Sequence, residues 1–166
     1  MGIYRIKTYC FVVIFLFGCN TGENFKAINS NKNYTFSYNG FEKSLFLDEE
    51  VKNFALVFFT KDCGVCKEQI PILENLARNN IFDIFIVLAD AQNQQDALNW
   101  ANAKRLTLPM FYEKKAVYFF SKAVENIYGV PVISFFKDSK MHKKFIGLTP
   151  LSVLENEFKQ ISFKNL

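Results

Sequence analysis

The chain has 166 residues, half of them hydrophobic and 20 of them phenylalanine, which suits one domain whose core needs no disulfide staples. Its formal net charge is +4, and two of the positive residues, Arg5 and Lys7, fall in a segment expected to be removed. So small a surplus argues against nucleic acid as a partner.

Residues 1–18 read as an export signal. Arg5 and Lys7 make a positive start, and Tyr9 to Phe17 make an apolar run. That run is too short to span a membrane, which takes roughly 20 residues. It ends Leu16-Phe17-Gly18-Cys19, which resembles the bacterial lipobox, although Phe17 is bulkier than the usual occupant. The resemblance implies a lipid on the Cys19 thiol, cleavage before it and acylation of the new amino terminus. Two or three acyl chains, at about 0.8 kcal/mol per buried CH₂, hold a protein stably on a membrane. The alternative is an ordinary secretory signal with a chance cysteine. On the lipid reading the protein sits in the cell envelope, on a periplasmic or other extracytoplasmic face. Cys10 is then lost and Cys19 is occupied, so Cys63 and Cys66 remain as the free pair.

Residues 19–33 are rich in Asn, Lys, Ser and Gly and read as a lipidated, flexible tether. The folded domain is expected over residues 34–166. Tyr34, Phe36 and Tyr38 alternate with polar residues, Asn39-Gly40 offers a type I′ turn, and Phe41 to Leu47 returns as a hairpin. Phe54 to Phe59 is a continuous apolar run that suits a central strand. Cys63 to Asn79 reads as a helix with Ile70, Leu73, Leu76 and Ala77 on one stripe and Pro71 inside it. Phe82 to Ala89 is a second buried strand. A polar helix over Gln92–Lys104 follows, with Leu98 and Ala101 facing in, and then a short strand over Leu108–Tyr112. A helix over Val117–Tyr128 ends at Gly129. Val130 to Phe136 is a strand that turns at Asp138-Ser139-Lys140 and pairs back through Met141–Ile146. The lysines of that hairpin (Lys137, Lys140, Lys143, Lys144) read as a solvated face. Thr149 is expected to cap a last helix with Pro150 at its first position and Leu151, Leu154, Phe158 and Ile161 facing in. This order indicates an α/β fold: a central mixed sheet flanked by helices, with an N-terminal hairpin and an inserted helix and strand.

Cys63-Gly64-Val65-Cys66 follows the first buried strand and opens a helix. A helix N-terminus carries about half a positive charge, which favours a thiolate. An i, i+3 spacing there brings two Cα atoms to about 5–6 Å, within disulfide range. The pair can thus open and close reversibly. Inert buried cysteines or half of a zinc site are the alternatives that spacing leaves open. Zinc needs four ligands, and His142 is the single histidine. It lies in the lysine-rich hairpin and reads as a surface residue. Covalent haem needs CxxCH, and Lys67 stands where that histidine would be.

Four separated segments together resemble the thioredoxin superfamily: Cys63 to Lys67, Pro71 eight positions after Cys63, Tyr128-Gly129-Val130-Pro131, and Phe145-Ile146-Gly147-Leu148. They cover about residues 54–166. The stretch between Asp90 and Pro131 is longer than plain thioredoxin uses. With the hairpin and the anchor, this is similar to the TlpA/ResA group of extracytoplasmic thiol–disulfide oxidoreductases. The resemblance implies catalysis by a redox disulfide of Cys63 and Cys66, with no other cofactor and no metal. It makes Cys63 the nucleophile and Cys66 the resolving thiol. It implies a cis Pro131, with Val130 and Pro131 binding an extended partner segment. Partners would be exported protein thiols or disulfides (apocytochrome c among those of the family), together with a separate redox partner. A reductant is the direction the group suggests; an oxidant or isomerase of the same fold, or a binding lipoprotein without turnover, are the alternatives.

Two positions depart from the family pattern. Asp62 replaces the usual Trp before the first cysteine, and Val57 stands where thioredoxin has a buried acid. A carboxylate at Asp62 opposes thiolate formation, while Lys61, Lys67 and the helix dipole favour it. Proton transfer is then left to water, Asp62 or another group.

Overall fold

The computed structural model describes residues 22–30, 32–48, 53–79 and 82–162. The expected leader 1–18 and the lipid site Cys19 lie outside them. Twelve elements follow in chain order: β1 (Glu23–Lys26), β2 (Asn33–Asn39), β3 (Ser44–Leu47), β4 (Phe54–Phe59), α1 (Gly64–Asn79), β5 (Asp83–Leu88), α2 (Gln94–Ala103), β6 (Met110–Phe111), α3 (Lys114–Ala123), β7 (Val132–Lys137), β8 (Lys140–Ile146) and α4 (Leu151–Ser162).

The strands form one mixed sheet in the order β1-β2-β3-β8-β7-β4-β5-β6. The strand β4 lies parallel to β5 and antiparallel to β7. All six residues of β4 are buried, because both faces of the sheet are covered. Its side chains alternate with the pleat. Ala55, Val57 and Phe59 enter a core shared with α1, α2 and α4. Phe54, Leu56 and Phe58 enter a second core shared with α3 and the β1–β3 segment. The expected mixed sheet flanked by helices is therefore what forms.

The expected tether over residues 19–33 is corrected by what lies between Gly22 and Lys32. Residues 23–26 are a strand, paired with β2 from Glu23↔Phe36 to Lys26↔Asn33. Phe25 is buried against Phe36, Phe111, Phe119 and Phe120. Beyond the strand, Ile28 N–H donates to Met110 O at 2.9 Å. The Asn29 amide donates to Leu108 O at 2.7 Å and accepts from Met110 N–H at 3.0 Å. One buried phenylalanine and one amide that satisfies β6 outweigh the polar composition of the segment.

Other departures are local. The β2–β3 connection is not a type I′ Asn-Gly turn, since neither residue takes a positive φ. Instead Asn39 Oδ1 accepts from the N–H groups of Phe41 and Glu42, and Lys43 makes the left-handed step. The β7–β8 turn carries that geometry, with Asp138 at φ 49° and Ser139 at φ 65°. In α2 the buried residues are Ala97, Trp100 and Ala101. The helix α3 starts at Lys114 and ends at Ala123, where Glu125 and Asn126 turn left-handed before Gly129 is reached. At α4, where Thr149 is expected as the cap, its hydroxyl donates to Gly147 O at 3.2 Å. The backbone of Thr149 is clasped by Gln69 of α1, whose Nε2 donates to Thr149 O at 3.1 Å and whose Oε1 accepts from Thr149 N–H at 2.7 Å. That buried amide, with a partner on its oxygen and on its nitrogen, ties α1 to the start of α4.

Candidate functional site

The central strand β4 ends at Phe59, a turn follows at Lys61 and Asp62, and α1 begins at Gly64, so the site lies at the C-terminal end of that strand. Cys63 is thus the last residue before the helix and Cys66 lies in its first turn. The two are joined by a disulfide with Cα atoms 5.2 Å apart. Cys66 is 1% exposed and packs in the core with Ile70 and Leu73, whereas Cys63 is partly exposed. One sulfur therefore faces solvent and the other does not. The N–H of Cys66 points at Cys63 Sγ, 3.1 Å away. This donor, at a helix N-terminus, is placed to stabilise negative charge on that sulfur once the disulfide opens.

Across from the pair runs the Val130–Pro131 peptide, which is cis. Val130 O lies 3.8 Å from Cys63 Sγ. Pro131 O accepts from Gly147 N–H at 2.8 Å, and Gly147 has φ 89°, a conformation that glycine adopts without strain. The structure thus brings together Cys63, Cys66, Val130 and Pro131. Exposed apolar side chains flank these positions in the chain: Val65 between the cysteines, Tyr128 ahead of Val130 and Leu148 after Gly147.

The turn before Cys63 is held from the side by residues that sequence reasoning missed. Lys61 N–H donates to the Asp90 carboxylate at 2.9 and 3.1 Å. Lys61 Nζ lies 2.6 Å from Asp96 Oδ2, which also accepts from Gln92 N–H at 2.9 Å. Lys61, expected to support the Cys63 thiolate, is paired with Asp96, whose carboxylate offsets its charge. The one available signal was Asn93-x-x-Asp96, a helix N-cap pattern; Asn93 Oδ1 does accept from Asp96 N–H at 2.9 Å.

The Gln92 N–H, and then the Lys61 ammonium, hold the Asp96 carboxyl below the usual carboxylate range. A depressed carboxyl adds stability that is present above the unfolded value near pH 4 and is lost as pH falls through the folded value. Asp96→Asn is expected to melt below the wild type at neutral pH, with the gap closing in acid. Thermal melts from pH 7 to pH 2 test this; a gap that persists undiminished at pH 2 would refute it.

Val57 is fully buried in the β4 face that packs with Cys66, so the family's acid position is apolar in fact as well as in sequence. Asp62 is exposed. His142 is on β8, and its Nε2 lies 3.0 Å from the buried Oε1 of Glu157 on α4, with the N–H not directed at that oxygen. Among the described residues no three His, Cys, Asp or Glu side chains cluster so as to hold a metal. Nor is any described helix long and apolar enough to cross a membrane.

No protein-family model matches the sequence, and no curated protein matches it. Solved structures do. StoA from Bacillus subtilis is 18% identical over 82% of this chain and 96% of its own, with a TM-score of 0.62. A candidate thiol:disulfide interchange protein DsbE from Chlorobium tepidum is 15% identical over 84% of this chain and 93% of its own, with a TM-score of 0.62. A secreted Mycobacterium tuberculosis disulfide oxidoreductase, homologous to E. coli DsbE, is 15% identical over 66% of this chain and 81% of its own, with a TM-score of 0.56. At these identities the likeness is one of fold. The chain has the thioredoxin fold, and it carries a CxxC disulfide at the start of α1.

Proposed function

We propose that this chain is an extracytoplasmic thiol–disulfide oxidoreductase that reduces disulfides in exported proteins, held to a membrane by lipid on Cys19. The observation that carries the reading is the asymmetry of the pair: one partly exposed sulfur beside the Val130 carbonyl, one buried sulfur in the first turn of α1. The neighbours' descriptions as disulfide oxidoreductase and interchange protein support it. The secreted neighbour and the lipobox-like leader support the compartment.

In the reduced protein, the Cys63 thiolate attacks one sulfur of the partner's disulfide. That S–S bond breaks, a mixed disulfide forms, and the partner's departing sulfur takes up a proton. Cys66, as thiolate, then attacks Cys63 Sγ. The intramolecular disulfide closes and the partner's second sulfur leaves and is protonated. The partner gains two electrons and two protons, and the dithiol loses them. The backbone of Val130 is placed to pair with an extended partner segment while Cys63 reacts. With Val57 apolar, the Cys66 proton leaves toward the Cys63 edge, where solvent reaches the site.

Proteins of this fold span potentials from roughly −270 to −120 mV. A reductant is expected near the lower end and is expected to reduce insulin when supplied with a thiol donor. Equilibration with glutathione or a dithiol reads the potential, and insulin turbidity reads the turnover. A potential near the upper end would overturn the direction. No insulin reduction by the intact dithiol would favour docking without turnover, the reading that the missing acid at Val57 supports.

A further inference from the structure

Along α1, from Lys67 near the disulfide end to Arg78 in the last turn, lies a groove of about 280 Å³. Lys67, Glu74 and Arg78 recur along the helix at spacings of seven and four, so they share one stripe. Lys104 and Arg105, just past α2, form the facing wall with Thr107. Four cations thus line the groove against one carboxylate. That carboxylate is already engaged: Glu74 Oε1 accepts from Thr107 N–H at 2.6 Å, and Oε2 accepts from the Thr107 hydroxyl. The lysine–carboxylate ion pairs of the described residues are Lys43–Glu125, Lys61–Asp96 and Lys115–Glu23, and none uses Lys67, Arg78, Lys104 or Arg105.

No ion pair among the described residues neutralises these four cations, so the groove carries an excess of positive charge that an anionic ligand would complement. The stripe from Lys67 to Arg78 spans about 16 Å at 1.5 Å per residue, the reach of roughly five residues of extended peptide. It is too long for a small anion. It starts at Lys67, next to Cys66. We infer that this groove docks an acidic segment of the protein whose disulfide meets Cys63, and that charge selects and steers partners. The inference rests on the exchange activity proposed above. Steering of this kind raises association rates by ten- to a thousandfold at low salt and fades as salt screens it.

The test uses two disulfide-bearing peptides that differ only in a flank of five Glu or five Gln. At low ionic strength the reduced wild type is expected to react about tenfold faster with the Glu peptide, and the ratio falls toward one in high salt. The double variant Arg78→Glu, Arg105→Glu is expected to lose the preference. The double variant Lys140→Glu, Lys143→Glu, on exposed positions of β8, changes the net charge equally and is expected to keep it; circular dichroism verifies that both fold. Equal rates for the two peptides with wild type, or equal loss in both variants, overturns the inference. If neither peptide exchanges, the oxidoreductase reading fails. Fluorescence anisotropy with a cysteine-free Glu peptide then reads the groove alone. Salt-sensitive binding that only the Arg78, Arg105 variant loses supports the inference, and absence of binding overturns it.

Discussion

Cys63→Ala is expected to slow insulin reduction about a thousandfold or more, the scale of loss when a covalent nucleophile is removed. The reason is access. A macromolecular disulfide reaches the partly exposed Cys63 sulfur beside Val130, and it cannot reach Cys66, which is 1% exposed. The same geometry predicts a different failure for Cys66→Ala. That variant keeps the attacking sulfur and loses the thiol that releases the partner. It is expected to complete one attack and stop, accumulating mixed disulfides through Cys63. Non-reducing gels of each variant after reaction with insulin or with envelope proteins report the outcome. Mixed disulfides on Cys63→Ala and none on Cys66→Ala would reverse the assigned roles.

The placement of these residues was legible in the sequence because each rests on a short local pattern. The run Phe54–Phe59 announces a strand buried on both sides, and the cysteines that follow it sit where a helix begins. Val130-Pro131 and Gly147 carry their own backbone preferences. What the sequence did not announce are contacts between polar residues far apart in the chain. Lys61 finds Asp90 and Asp96 only once β4 and β5 lie side by side, so the carboxylate that offsets its charge was not visible in the sequence. Gln69 meets Thr149 across eighty residues, and a lone glutamine gives no periodic signal. The strand β1 was hidden for a related reason. Its four residues contain one apolar side chain, Phe25, and apart from Ala27 and Ile28 the segment around it is polar. Its pairing is decided by what Phe25 and Asn29 meet on β6 and α3, not by its own composition.

The second core gives the other large effect. Phe36→Ala is expected to destabilise the fold by about 3–5 kcal/mol, the usual range for a fully buried phenylalanine. Against a total of about 5–15 kcal/mol, this is a large fraction. Phe36 is 0% exposed, and its ring meets those of Phe25, Phe54, Phe85, Phe111 and Phe120 at centroid distances from 4.8 to 6.3 Å. Those partners come from β1, β4, β5, β6 and α3, so the cavity would open where the N-terminal hairpin closes over the sheet. Rigid neighbours on so many elements cannot all move in to fill it. Phe41, in the β2–β3 connection, is the internal control: it is 98% exposed, and Phe41→Ala is expected to stay within about 0.5 kcal/mol of wild type. Urea unfolding of both variants measures the contrast. A Phe36→Ala loss below about 1 kcal/mol would mean that β1–β3 is not part of the cooperative core. The disulfide stands in the other core, beside Val57 on the opposite face of β4. Phe36→Ala protein that remains folded at low temperature is therefore expected to keep exchanging disulfides, separating what holds the sheet together from what acts at the end of its central strand.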